Sequence, residues 1–329
     1  MSTSIPTAGT DRAHPDRPPR AVAFGEALVV LVQTEPGPLE DAESFRRSLG
    51  GAETNVAIGL VAHGLPTTLL SRVGDDGFGR YVRAELERFG VDTSMIEVDP
   101  VRSTGVYVKE VGGATGSFTD LGPGRSAMHY YRAGSAGSHL SPALLDTPRV
   151  AATLDAATLV HTTGITPALS SHAAAAQRLL VDRSRSRSLV AFDLNWRPAL
   201  WHGRIEHGRE LLAGFLQTSD IALTGLDEAS AVFGTRTADD IRRRFPEPRW
   251  LIVKNDGGAV SAYDGDERVD VDAHEVAVVE AIGAGDAFAA GLLAGLARGD
   301  ALRDCVEHGH ATAARALRTS SDHVAGGVR

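Results

Sequence analysis

Six strand-length apolar runs recur along this chain, and stretches with helical spacing lie between several of them. The runs cover residues 21–24, 67–73, 159–161, 189–193, 220–223 and 250–254. Between the first two, Val56, Ala57, Leu60 and Val61 fall on one helical face, which predicts a helix over 53–63. Residues 79–89, 171–181, 227–233 and 302–317 read as helices in the same way. Strands that alternate with helices predict a parallel sheet with crossover helices. The middle of the chain breaks this rhythm. Residues 104–111 and 127–132 read as two antiparallel strands, joined by a Gly-, Ser- and Thr-rich stretch, 112–126, that predicts a long mobile connection. Residues 28–49 can add strands to the same flap. A meander is expected over 260–263 and 268–271, and 276–279 reads as a strand.

With 329 residues the chain can bury a large core. A formal charge of −9 argues against nucleic acid as the main partner, though not against an anionic small substrate held by a few local arginines. The single cysteine, Cys305, excludes an internal disulfide and suits a reducing cytoplasm. Residues 1–19 are rich in Pro, Ser, Thr and Arg and read as a disordered extension without a secretory signal, and 321–329 as a tail. No apolar stretch reaches membrane-spanning length, so no membrane partner is expected.

In open α/β sheets, ligands bind beyond the carboxyl ends of the strands. Four polar clusters lie at such ends: Asp193 to Arg197, Thr224 to Glu228, Asn255 to Gly258, and Gly283-Ala284-Gly285-Asp286. The last opens a helix, where free amides form an anion site and glycine allows close approach of a phosphate. A carboxylate beside a resting anion repels it, but it suits the nucleophile that attacks a phosphate. A plain turn and helix cap gives the same string, and local spacing does not separate the two. A Gly-x-x-x-x-Gly-Lys-Ser/Thr loop and a Gly-x-Gly-x-x-Gly fingerprint are both absent from the sequence.

The sequence resembles the ribokinase-like, or PfkB, carbohydrate kinases over nearly everything after its first twenty residues. One signature matches as Gly50-Gly51-Ala52 with Asn55-Val56-Ala57, followed by Gly74-Asp75-Asp76-Gly77-Phe78-Gly79. The other matches as Gly283-Ala284-Gly285-Asp286-Ala287-Phe288 with Gly291. The resemblance implies an α/β fold with a three-layer α/β/α core, a mostly parallel sheet and a small β-sheet lid. The core would comprise 20–27, 50–102 and 133–320, and the lid 28–49 and 103–132. Asp286 would be the catalytic base, and the amides of Ala284, Gly285 and Asp286 would form the anion hole, with Gly283 opening the turn. Gly50, Gly51 and Asn55 would line the sugar site. Thr224, Lys254, Gly257, Gly258, Gly283 and Gly285 would lie against ATP, although Lys254 reads equally well as the end of a strand. Glu228 would organise Mg²⁺ through water.

Within that family the chain is most similar to the 2-keto-3-deoxygluconate kinases, through Thr104-Gly105-Val106-Tyr107, Tyr130-Tyr131-Arg132 with Gly134-Ser135-Ala136, and Asp193, Asn195 and Arg197. A sugar acid calls for a planar cationic fork or a hydroxyl donor at its carboxylate. Arg132, Arg197, Tyr107 and Tyr130 supply these groups. Otherwise Arg132 is a solvated strand residue and the tyrosines pack the flap. Glu280-Ala281-Ile282 departs from the family's usual triplet, which leaves a monovalent-cation site open. A neutral-sugar kinase, a non-catalytic sugar- or nucleotide-binding regulator and, more weakly, an NAD-dependent enzyme are the rival readings. An exposed flap edge predicts a homodimer or higher homo-oligomer through the lid.

Overall fold

The computed structural model describes residues 18–255, 258–274, 276 and 283–318. Its strands are β1 Ala21–Phe24, β2 Leu28–Gln33, β3 Phe45–Gly50, β4 Thr67–Gly74, β5 Ile96–Asp99, β6 Val106–Val111, β7 Ser126–Tyr131, β8 Leu159–Thr163, β9 Leu189–Asp193, β10 Ile221–Gly225, β11 Trp250–Lys254, β12 Val260–Asp264 and β13 Glu267–Val271. Nine of them form one sheet in the order β13-β12-β11-β10-β9-β8-β1-β4-β5. It is parallel from β11 through to β5, and β12 and β13 close it as an antiparallel meander. β1, β8, β9 and β10 are buried at every position, as expected for parallel strands covered on both faces.

Helices cover each face. Ala52–Ala62, Ala284–Arg298 and Leu302–Leu317 pack on the face bearing Ala21, Leu159, Ala191 and Leu223. Ser171–Ser184 and Ile205–Thr218 pack on the face bearing Val160, Val190, Phe192 and Ala222. The small residues of Ala284–Arg298 have a packing role. A β-carbon on Gly59 would lie 2.4 Å from the Ala290 Cβ, one on Gly291 2.5 Å from the His308 carbonyl, and one on Gly295 2.8 Å from the Cys305 Sγ. Cys305 is itself buried in this interface, and burial pushes its thiol up to about 12. It is a packing residue.

The remaining strands form a second sheet, β3-β2-β6-β7, in which β2 pairs parallel with β6 and the other pairs are antiparallel. Residues 28–49 thus supply half of it. The chain passes from β1 in the large sheet to β2 in the small one through Gly25-Glu26-Ala27 alone.

Two local results differ from the sequence expectations. The 112–126 connection is organised rather than loose: the Asp120 carboxylate accepts hydrogen bonds from the amides of Gly113, Thr115 and Gly122 and from the Thr115 hydroxyl, and these hold its pKa well below the ordinary carboxylate range. β5 was not anticipated. The strand expected over 276–279 lies almost wholly outside the described residues.

Candidate active site

Asp193, the last residue of β9, pairs in register with Leu223 of β10, and alternation places its side chain on the face covered by helix Ala284–Arg298. Lys254, the last residue of β11, points to the same face one pleat further on. Its long side chain reaches back across β10, and its Nζ lies 2.8 Å from the Asp193 Oδ2. Both groups are largely buried, with 22% and 5% of the side chains exposed. A β-carbon placed on Gly285 would lie 3.8 Å from the Lys254 Nζ, so the ammonium faces the start of that helix.

Gly283 is the helix N-cap, with φ at +80°, a left-handed conformation that glycine adopts without penalty. No side chain caps the helix. The first helical bond runs from the Ala287 amide to the Gly283 carbonyl, so the amides of Ala284, Gly285 and Asp286 precede any intrahelical acceptor. Asp286 does not turn back to them. Its Oδ2 accepts a 2.8 Å hydrogen bond from the Asn55 Nδ2. Burial raises its carboxyl to about 7, helped by the charge of Asp193, while the Asn55 hydrogen bond, Lys254 and Arg197 act in the opposite direction. Asn55 is placed by Gly51, the N-cap of Ala52–Ala62, whose φ of +119° and close approach to the Glu26 carbonyl exclude a side chain.

Glu228 starts the helix after β10 and accepts a hydrogen bond from the Gly225 amide at 2.9 Å. Burial raises its pKa, Lys254 lowers it and Asp193 raises it. Three carboxylates thus surround one ammonium, and all three raise the pKa of Lys254 against its burial. The Oδ1 atoms of Asp193 and Asn195 are buried and have no hydrogen-bond partner among the described residues. Asn195 is also the one non-glycine at positive φ there, +38°, a conformation that costs energy and is typical of functional sites. Arg197 follows on the same loop. It is exposed, its side chain makes no hydrogen bond or ion pair among the described residues, and its charge is felt at both Asp286 and Glu228. His161 lies on the same sheet face and is fully buried, with its ring driven down to about 4 by burial.

Three of the four strand-end clusters therefore meet around Lys254, the residue just before the fourth, and not every expected residue joins them. Thr224 faces away from Leu223's side of β10 and donates its hydroxyl to the Gly225 carbonyl. Gly258 closes a turn by donating to the Asn255 carbonyl at 2.7 Å. Gly257 and residues 280–282 lie outside the described residues. Gly50 ends β3 of the small sheet, paired with Leu28, and a β-carbon there would meet Val30, Leu28 and Tyr107. Tyr107 is buried, and its ring lies 5.3 Å from that of half-exposed Tyr130. Arg132 is not solvated: only 11% of its side chain is exposed, and its Nη2 pairs with the buried Glu26.

Sequence reasoning missed two buried carboxylates. Glu26 lies two residues past the end of β1. Glu53, in the first turn of Ala52–Ala62, accepts hydrogen bonds from Thr163 at 2.8 Å and Thr166 at 2.9 Å, and burial raises its pKa. A β-carbon on Gly25 would collide with the Glu53 carboxylate. Glu53 thereby sits at the β1/β8 junction, where the strand order reverses and α/β sheets open a crevice. The sequence carries no local mark of their burial, only a positional hint: a Gly-Glu pair after β1 and a Thr-Thr-Gly run at the end of β8. The Gly74–Gly79 segment is a structural tie. Asp76 caps helix Gly77–Arg88 through the Gly79 amide and also accepts from the Thr104 amide and hydroxyl, joining the segment that leads into β6.

Residues 19–324 match the family model described as pfkB family carbohydrate kinase. The 2-dehydro-3-deoxygluconokinase of Thermoproteus tenax is 35% identical over 271 residues, covering 82% of this chain and 79% of that one. The 2-dehydro-3-deoxygluconokinase of Bacillus subtilis (strain 168) is 31% identical over 309 residues, covering 92% and 90%. Among solved structures, a PfkB protein from Polaromonas sp. JS666 superposes with a TM-score of 0.81 at 33% identity, covering 91% and 96%. The large parallel sheet, the small second sheet and the glycine-led helix with its uncapping aspartate thus have a common setting, and the chain belongs to the PfkB family of carbohydrate kinases.

Proposed function

We propose that this kinase transfers the γ-phosphoryl group of ATP to a primary hydroxyl of 2-keto-3-deoxygluconate, with Asp286 as the base. The observation that carries the mechanism is the Asp286 carboxylate. It leaves the helix amides free, is held by Asn55, and has a pKa near 7, where a base serves at physiological pH. Asp286 accepts the hydroxyl proton as the oxygen attacks. The amides of Ala284, Gly285 and Asp286 stabilise charge on the phosphoryl oxygens, and Lys254 faces them from the sheet. The oxygen donors of Asp193 and Glu228, one of them without a partner, suit a hydrated Mg²⁺ beside the phosphates. When bound, that ion neutralises phosphate charge.

The sugar acid is favoured over a neutral sugar by Arg197, an unpaired cation at the mouth of the cluster, and by Arg132 beside Tyr107 and Tyr130. The names of the two relatives point the same way. The small sheet acts as a lid that excludes water. Its edge strand β7 exposes Tyr130, Tyr131 and Met128, which supports self-association through the lid. No helix among the described residues is long and apolar enough to cross a membrane. The lone buried cysteine fits a reducing compartment.

The test is ATP turnover against a panel of sugar acids and neutral sugars, with the unaltered protein and with Arg197→Leu. The acid is expected to be preferred, and Arg197→Leu to weaken it about tenfold or more relative to fructose. Equal loss on both substrates would remove the carboxylate reading.

A further inference from the structure

Glu26 sits where the chain leaves the large sheet for the small one, and its carboxylate is occupied from both sides. One oxygen pairs with the Arg132 Nη2, and the other accepts a hydrogen bond from the Ser135 hydroxyl. The neighbouring backbone is shaped around it. A β-carbon on Gly105 would lie 2.5 Å from the Glu26 Oε1, and one on Gly137 would lie 2.2 Å from its Cγ. Its backbone carbonyl packs against Gly51, the residue that places Asn55. One residue thus touches the core-to-lid crossing, the entry to β6, the exit from β7 and the start of the sugar-site helix.

Arg132 depends on this contact. Its side chain is nearly buried, its Nε has no hydrogen-bond partner among the described residues, and Glu26 is its only ion-pair partner there. A guanidinium so desolvated does not keep its place without a counter-charge. Glu26 has two opposed effects on a bound carboxylate. It reduces the net charge that Arg132 presents, and it fixes the planar fork that a carboxylate needs. Fixation prevails, because an unanchored Arg132 can turn towards solvent and leave the site altogether.

We propose that Glu26 is a positioning residue for sugar-acid recognition: by holding Arg132 at the core-to-lid crossing, it sets the fork that reads the substrate carboxylate. This rests on the sugar-acid reading above.

The experiment is steady-state kinetics on the full-length enzyme with Glu26→Gln, Arg132→Leu and the double variant, using 2-keto-3-deoxygluconate and its uncharged carboxamide. Glu26→Gln is expected to raise KM for the acid about tenfold, with kcat within about threefold and KM for ATP unchanged. The carboxamide should change by less than about twofold, and the double variant should match Arg132→Leu alone. A merely structural residue would instead lower turnover of the acid and the amide alike, and its effect would add to that of Arg132→Leu. Either result overturns the proposal. If Glu26→Gln does not fold, Ser135→Ala, which removes one hydroxyl, is expected to raise the same KM about threefold, and an unchanged KM overturns it. If the unaltered enzyme phosphorylates no sugar acid, the sugar-acid reading and this proposal fall together. If it does and Glu26→Gln is not selective, this proposal alone fails.

Discussion

Replacing Lys254 with Met removes the ammonium that sits among three carboxylates. At the observed separation of 2.8 Å, and with an effective dielectric constant of about 20, the Lys254–Asp193 attraction is about 6 kcal/mol. Desolvation of both groups offsets part of it. Loss of one partner from a buried pair typically costs about 3–5 kcal/mol, because the other charge stays behind. Here the charge left behind also faces Glu228 and Asp286, so the upper half of that range is expected. For a chain of this size, about 2 °C is lost per kcal/mol, which gives a fall in Tm of about 8–10 °C. Asp193→Asn should cost less, since Lys254 keeps two other carboxylates. The double variant should recover part of the loss, with a coupling energy of about 2 kcal/mol. Urea unfolding of all four proteins at pH 8, followed by circular dichroism, measures this. A coupling below about 0.5 kcal/mol would show that the pair is not a unit and would refute the electrostatic account of the cluster.

Two other outcomes follow from the geometry. A base with a pKa of about 7 makes kcat/KM for the sugar rise with pH, roughly tenfold per unit, until a plateau above pH 7. The apparent value belongs to the cluster, since Asp193 and Lys254 act on the same carboxyl. The stability linkage runs the other way. The native state holds the Asp286 proton more tightly than the unfolded chain, so stability is lost as pH rises from about 4 to about 7, and Asp286→Asn should remove that dependence. Light scattering at working concentration should give a dimer mass, and Tyr131→Lys on the exposed lid edge should lower it. A monomer in the unaltered protein contradicts the lid-pairing reading.

The parallel core was legible in the sequence because its strands are buried on both faces and therefore read as continuous apolar runs. β5 escaped because only Ile96 and Asp99 of its four residues are buried, which leaves no period to read. The Asp120-centred loop was misjudged because Gly and Ser content reports backbone freedom, whereas one carboxylate with four donors removes it. Gly283 to Asp286, Asn55, Asp193, Arg197, Lys254 and Glu228 were named from the sequence and lie together, since strand-end polar clusters in a parallel sheet share one edge. Thr224 was named as well, but strand alternation turns it to the other face. Glu26 and Glu53 went unnamed because what makes them notable is distant in sequence. Glu53 meets Thr163 across 110 residues, and Glu26 meets Ser135 across 109. Nothing in the local string around either glutamate marks it as buried.

The central claim is that Asp286 removes the proton from the sugar hydroxyl while the helix amides hold the phosphoryl group. Its most direct test is kcat of Asp286→Asn with the preferred sugar, measured beside the affinity for ATP. The substitution keeps the shape of the side chain and removes its basicity. The account predicts a fall in kcat of about a thousandfold or more, with ATP affinity within about threefold of the unaltered protein. Turnover within tenfold of normal would contradict it.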